Sequence, residues 1–162
     1  MSASDWLRNT RGEWYVVAQA GLMAAVLCAP LLDGRGIGRS APFRDPTVIA
    51  GGTLIVAGLA LLILGSVGLG SNLSPFPKPK DMSCLVESGI FSIVRHPIYT
   101  GITVCAFGWS LASNSIAAFA AALALLTFFD FKARREERWL EAKFPGYAAY
   151  KAKVKKLIPF VY

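Results

Sequence analysis

The stretch Arg95-His96-Pro97-Ile98-Tyr99-Thr100-Gly101 sets a guanidinium, the chain's single imidazole and a phenol within one short run, and two adjacent carboxylates, Glu136 and Glu137, follow about forty residues later. Such a set can hold a zwitterion: the acids face a sulfonium or ammonium, and the bases face its carboxylate. Plainer readings stand beside this one. A lone histidine is often a polar contact, and metal binding lacks further His, Cys or suitably spaced acids, so no metal site is expected. Arg95 could be a snorkelling interface anchor, and Glu136 and Glu137, flanked by Arg134, Arg135 and Arg138, could simply decorate a solvated helix face. The intervening sequence joins the two stretches. Two apolar segments meet at Ser113-Asn114-Ser115, and a helical hairpin there returns Glu136 to the membrane face that holds His96. Ionisable groups at the edge of hydrocarbon are expensive and usually functional.

Composition supports that setting. A chain of 162 residues suggests one domain. With 54% hydrophobic and 17% charged residues and a mean hydropathy of +0.48, it is too apolar for an ordinary soluble domain and reads as an integral membrane protein. The net charge of +7 does not argue for nucleic acid, because nine of the seventeen Lys and Arg residues follow residue 131, as in a tail lying beside anionic lipid. Cys28, Cys84 and Cys105 are scattered, and no disulfide framework is implied.

The expected architecture is all-α, with about four transmembrane helices, a C-terminal helical hairpin and a cytoplasmic amphipathic tail. Arg8 and Arg11 precede the first apolar run, but that run is longer than a signal h-region, and Leu27 spoils a lipoprotein cleavage site at Cys28. It is therefore read as a retained helix from Trp14 to about Leu32, with Trp14 and Tyr15 at an interface. A glycine-containing exterior loop over 33–46 leads to a second helix over 47–69. Gly51, Gly52, Gly58 and Gly65 in that helix permit close packing. Residues 1–69 thus form an N-terminal helix pair, and 70–162 the remainder of a single membrane domain.

In residues 70–89, Pro75, Pro77 and Pro79 alternate with Phe76, Lys78 and Lys80. This pattern predicts either a stiff extended strap at a phospholipid surface or a plain linker. A third helix runs over 98–112 and a fourth over 115–131. The fourth continues toward Lys143, with Lys132, Glu136 and Leu140 on one face and Arg134 and Arg138 on the other. Ala117, Ala118, Ala121 and Ala122 form a packing face. Pro145-Gly146 ends this helix, and a basic amphipathic segment runs from Tyr147 to Pro159. Counting Arg8, Arg11, Lys78, Lys80, Arg95 and the nine tail residues on one side against Arg35, Arg39 and Arg44 on the other puts the site on the cytoplasmic face.

At this point a resemblance emerges. Leu85-Val86, Ser88-Gly89, Phe91, the Arg95-His96-Pro97-x-Tyr99-x-Gly101 run, Glu136-Glu137 with Leu140 and Phe144, then Gly146, Tyr147, Tyr150 and Ile158-Pro159-Phe160, are together similar to the isoprenylcysteine carboxyl methyltransferase and phospholipid methyltransferase superfamily. The similarity spans about residues 70–162. It implies a membrane methyltransferase that uses S-adenosylmethionine on a lipophilic or small acceptor, by direct displacement. Carried over by residue, the implied cofactor contacts are Ser83, Cys84, Leu85, Val86, Phe91, His96, Pro97, Ile98, Tyr99 and Glu136. Lys132 stands where the superfamily has an Arg for the substrate carboxylate, keeping the charge without the bidentate fork. Lys132, Glu137 and Arg95 are the implied catalytic set, with Glu137 able to help an amine acceptor lose its proton. The implied location is a membrane, with bacterial inner membrane suggested by the Ala, Gly and Arg-rich composition, and the partners are membrane lipids and the acceptor. Two other classes share some features: a sterol-reductase-like membrane enzyme binding NADPH, and a non-catalytic lipid-binding adaptor.

Overall fold

A computed structural model describes residues 12–34 and 45–162 of the chain. Arg8, Arg11, Arg35, Arg39 and Arg44, together with Gly36 and Gly38 of the first loop, lie outside the described residues.

The described residues form five helices, with one isolated bridge, Val94 to Lys155, as the only extended pairing among them. Helix α1, Glu13–Cys28, tightens into a 3₁₀ turn at Ala29–Leu31. Helix α2, Pro46–Leu69, starts where the Asp45 carboxylate accepts from the Thr47 amide at 2.9 Å and where Pro46 supplies a preset first-turn φ. It stops at Gly70, whose φ of +50° suits glycine. Helix α3 is Pro97–Ala112 and α4 is Ile116–Lys143, with Ser115 capping α4 by accepting from the Ala118 amide at 3.0 Å. Asp33, just beyond α1, also accepts from the Ser115 hydroxyl and from the Ala117 amide, tying the first loop to the α4 start. The short α5, Tyr147–Lys153, follows.

Three of these segments, Glu13–Leu31, Pro46–Asn72 and Ile116–Lys143, are long and apolar enough to cross a membrane. The expected third span is shorter. At 16 residues and 1.5 Å per residue, α3 is about 24 Å long. It is held against α2 by glycines spaced seven apart on both helices, Gly51 meeting Gly108 and Gly58 meeting Gly101, while Gly65 packs against Pro97 and Ile98. A Cβ on Gly58 would lie 2.6 Å from the Gly101 carbonyl oxygen, and one on Gly51 would lie 2.6 Å from that of Gly108. The two backbones therefore touch, which in a membrane is how apolar helices gain packing energy.

Helix α4 carries the other seam. Ala118, Ala122, Leu125 and Phe129 alternate at steps of four and three, are almost fully buried, and pack with Val26 of α1 and Ala106 of α3. The alanine face expected from sequence is thus the α4 packing face, with Ala118 and Ala122 innermost. Continuing the same rhythm past Phe129 leads to Lys132, Glu136 and Leu140, so one stripe of α4 serves the core and then the cavity described below.

The last segment differs from expectation in extent. The helix ends at Lys153, and the chain then runs extended beside Val94, with the Arg95 amide donating to the Lys155 carbonyl at 2.9 Å and the His96 amide to that of Lys156 at 3.1 Å. The amphipathic helix stops where the backbone finds better partners than its own next turn.

The Gly58 contact leaves no space for a methyl group, whereas a Cβ at Gly52 meets nothing within 4 Å. Gly58→Ala is expected to destabilise the protein by about 1–3 kcal/mol and Gly52→Ala to leave it unchanged or firmer. Thermal midpoints in lipid nanodiscs measure both.

Candidate active site

Pro97 forms the first turn of α3 without needing an amide donor, which leaves His96 at the cap with its carbonyl accepting from the Thr100 amide at 3.0 Å. Its ring stacks on Tyr99, centroids 5.3 Å apart, and Tyr99 in turn stacks on Phe129 at 4.8 Å. The Tyr99 hydroxyl donates to Glu136 at 2.7 Å. Across 37 residues of sequence, the hairpin has closed as the sequence suggested.

The two adjacent glutamates separate by direction. Glu136 points into a cavity of about 360 Å³. Glu137 points into the protein: it is 2% exposed, accepts from Arg95 Nε at 2.9 Å, pairs with Arg95 Nη2 at 2.8 Å, and has His96 Nε2 at 3.2 Å and the Lys151 ammonium at 3.3 Å. Arg95 also donates through Nη1 to the carbonyls of Lys151, at 3.1 Å, and Val154. So Glu137 is not among the residues lining the cavity. Its carboxylate is engaged by Arg95 and His96 instead.

The other residues singled out from sequence all line the cavity. Ser83, Cys84, Leu85 and Val86 supply one wall; Phe91, Arg95, His96, Pro97, Ile98 and Tyr99 supply the floor; Lys132 and Glu136 supply the α4 side. Lys132 is 1% exposed, and its ammonium donates to Gln19 Oε1 at 2.5 Å and to the Pro75 carbonyl at 3.2 Å, 5.1 Å above the Tyr99 ring. Arg95 contributes surface to the cavity while its guanidinium is committed to Glu137 and the backbone.

The proline-rich stretch is a wall of the cavity. Asn72 donates to the Cys84 carbonyl at 3.2 Å, Pro77 is buried against Gly12, and Lys80 donates to the Ser71 carbonyl at 2.7 Å. Lys143 at the end of α4 latches this strap from the other side, donating to the carbonyls of Lys80 and Asp81 and to Ser83 Oγ. Lys80, exposed on the strap, closes a loop with Ser71.

Several lining residues were given no site role in the sequence reading, although all but Gln19 stood in its motifs. Gln19 gave a signal, as the one amide side chain in the apolar run of α1, because a polar residue within a span normally has a partner. Leu140 and Phe144 extend the Lys132 and Glu136 face by steps of four, and both line the cavity. Tyr147 and Tyr150 come from α5. Burial raises both phenols, Tyr150 to about 12, so the Tyr150 hydroxyl stays protonated and donates to the Phe91 carbonyl at 2.6 Å. Lys151 is also raised, first by its hydrogen bond to Glu141.

Removing one partner of a buried ion pair strands the other. Glu137→Ala is expected to cost about 3–5 kcal/mol of stability, whereas Glu136→Gln, at the cavity edge, should shift the unfolding midpoint by no more than about 0.5 kcal/mol. Denaturant titration of both variants separates the two carboxylates.

Three comparisons bear on this arrangement. The profile of the phospholipid methyltransferase family matches residues 46–146. Over 79 residues, 48% of this chain, the sequence is 35% identical to a protein-S-isoprenylcysteine O-methyltransferase of Schizosaccharomyces pombe, covering 34% of that protein. It is 34% identical to protein-S-isoprenylcysteine O-methyltransferase B of Arabidopsis thaliana, covering 40% of it. The chain thus spans well under half the length of these curated relatives. In fold, it superposes on the eukaryotic intramembrane Ras methyltransferase, isoprenylcysteine carboxyl methyltransferase, with a TM-score of 0.60 and 24% identity, over 89% of this chain and 53% of that one. A profile match that takes in α2, the strap, the His96 motif and all of α4 covers most of the cavity wall, and on that ground the chain belongs to the phospholipid methyltransferase family.

Proposed function

We propose that the protein is a membrane methyltransferase that binds S-adenosylmethionine in the cavity between the strap and α4 and methylates a lipophilic acceptor reaching it from the bilayer. One observation carries the reading: among the described residues lining the cavity, a single carboxylate, Glu136, faces in beside an aromatic stack, opposite a strap wall of Ser83 to Val86.

The residues present fit that cofactor. A volume of about 360 Å³ falls in the range of small-molecule sites. Glu136 suits an ammonium or ribose hydroxyls, the main chain of 85–86 suits a purine edge, and apolar Leu85, Val86 and Phe91 suit its faces. Bound there, S-adenosylmethionine would supply an electrophilic methyl group on a cationic sulfur. The chain's part is alignment and exclusion of water. The strap, latched by Lys143, and the wall of prolines keep solvent out. Glu137 and Arg95 hold His96, and His96 holds Tyr99 by stacking, so Glu136 stays oriented by the Tyr99 hydroxyl.

Lys132 offers a buried positive charge to an anionic acceptor. A carboxylate or thiolate attacks with its own electron pair and needs no base. An amine must shed a proton first, and Glu137, engaged by Arg95, His96 and Lys151, is poorly placed to take it. The reading therefore favours an anionic acceptor, and the isoprenylcysteine named in the relatives is one candidate. The charge count of the sequence supports a cytoplasmic cavity mouth, and with it a cytoplasmic supply of cofactor, in a bacterial inner membrane.

Calorimetric titration of the protein in nanodiscs with S-adenosylhomocysteine tests the site. Saturable binding is expected, weakened about 10- to 100-fold in Glu136→Gln, since a hydrogen bond to a charged group contributes roughly 1.5–3 kcal/mol, and NADPH should not compete. Absence of binding by the folded protein would sink the proposal. Offered a long-chain carboxylate, thiol and amine with radiolabelled S-adenosylmethionine, the protein is expected to label the first two, and Lys132→Met to raise KM for the acceptor while keeping homocysteine-adduct affinity within about threefold.

A further inference from the structure

Residues 158–162 make a tight hook with an unusual surface. The amides of Leu157 and Ile158 both donate to the Tyr162 carbonyl at 2.8 Å, and the Val161 amide returns to the Ile158 carbonyl at 3.1 Å. Phe160 sits at φ +63°, a left-handed conformation that a bulky aromatic residue rarely adopts. Its consequence is that the ring points outward: Phe160 is 83% exposed, Val161 71% and Ile158 46%. An exposed apolar tip held in a strained turn is a poor fit to water.

Beneath the tip the polar groups are all paired. The Tyr162 hydroxyl donates to Asp130 of α4 at 2.9 Å, Lys156 reaches Asp130 at 2.7 Å, and Arg134 binds both, Asp130 at 2.7 Å and the Tyr162 hydroxyl at 3.1 Å. Asp130 adjoins Phe131, which is 61% exposed and continues the outward stripe of Ile116, Phe119 and Leu123 along α4. A carboxylate at that position is tolerable near hydrocarbon because two cations and a phenol neutralise it.

Span lengths put the hook at a definite depth. Hydrocarbon is about 30 Å thick, and the 16 residues of α3 give only about 24 Å. Measured from the Ser113 to Ser115 turn, the hydrocarbon boundary therefore falls beyond the first turn of α3, and the segment packed there is the hook: Thr100 donates to the Leu157 carbonyl at 2.7 Å. We infer that Ile158, Phe160 and Val161 insert into the lipid leaflet on the cavity side, where they complete the apolar height that α3 lacks. The occupant of this surface is acyl chain and glycerol backbone, with Arg134 and Lys156 at headgroup level. The inference rests on span geometry and does not depend on which cofactor the cavity takes.

Photo-crosslinking decides it. Phe160→p-benzoylphenylalanine, and separately Val161→p-benzoylphenylalanine in case the first perturbs the turn, are made in the full chain and irradiated in nanodiscs of phosphatidylglycerol and phosphatidylethanolamine. Leu123→p-benzoylphenylalanine, in mid-span, calibrates lipid labelling, and Arg138→p-benzoylphenylalanine, on the exposed charged part of α4, gives the aqueous baseline. The expected result by intact-mass spectrometry is a phospholipid adduct at 160 and 161 at no less than about half the Leu123 yield and at least several-fold above Arg138. Adducts at 160 and 161 no greater than at Arg138 would overturn the inference, and so would crosslinked dimers in place of lipid adducts, which would make the tip an interface between two copies.

Discussion

The contact between Arg95 and Glu137 is the constraint on which the rest of the site depends. It joins the start of α3 to the C-terminal half of α4, and through Arg95 Nη1 it also fixes the backbone at Lys151 and Val154. Three stretches distant in sequence meet on one guanidinium. A planar fork with five donors on three nitrogens can span acceptors this far apart, whereas a lysine would have to serve them all from one nitrogen. Because both groups are nearly dry, their attraction is little screened, and the cost of desolvating them is met only while every partner is in place. A continuous chain of contacts runs from this glutamate to the imidazole, from the imidazole to the Tyr99 ring, and from the Tyr99 hydroxyl to Glu136.

Helix α4 shows how a membrane protein can turn a packing surface into a cavity wall without changing its geometry. Ala118, Ala122, Leu125 and Phe129 fill the seam with α1 and α3, and the same face then presents Lys132, Glu136 and Leu140. The change is chemical only. It occurs where the bundle widens, because α3 has ended and the strap, pinned by Lys143, has taken its place as a wall.

How much of this was legible in the sequence depended on the range of the contact. Helix ends were readable to within a few residues because Pro46, Pro97, Ser115 and Gly70 act locally. The cavity face of α4 was readable because Lys132, Glu136 and Leu140 obey a fixed period. The different fates of Glu136 and Glu137 were not readable, since neighbours on a helix point about 100° apart and sequence does not say which of two acids faces in. The heptad of Gly51, Gly58 and Gly65 was visible as small residues, but its partners Gly101 and Gly108 could be assigned only with both helices in place. The pairing of Lys155 and Lys156 with Arg95 and His96 leaves no pattern in either segment, because main-chain hydrogen bonds do not depend on side-chain type.

The shortness of α3 also constrains how the protein can be made. A segment of 16 residues with two glycines at its packing face offers the insertion machinery too little apolar length to partition alone. Its partner α4 is long enough, and the three-residue turn between them leaves no room for either to enter separately. The pair must therefore enter the bilayer together, after α4 has been synthesised, with α2 already waiting to receive the Gly101 face. Lys151 and the backbone that Arg95 requires follow α4 in the chain, so they are made after the helix pair that they brace. The cavity accordingly acquires its shape only once the segment after α4 has packed against a bundle already in place.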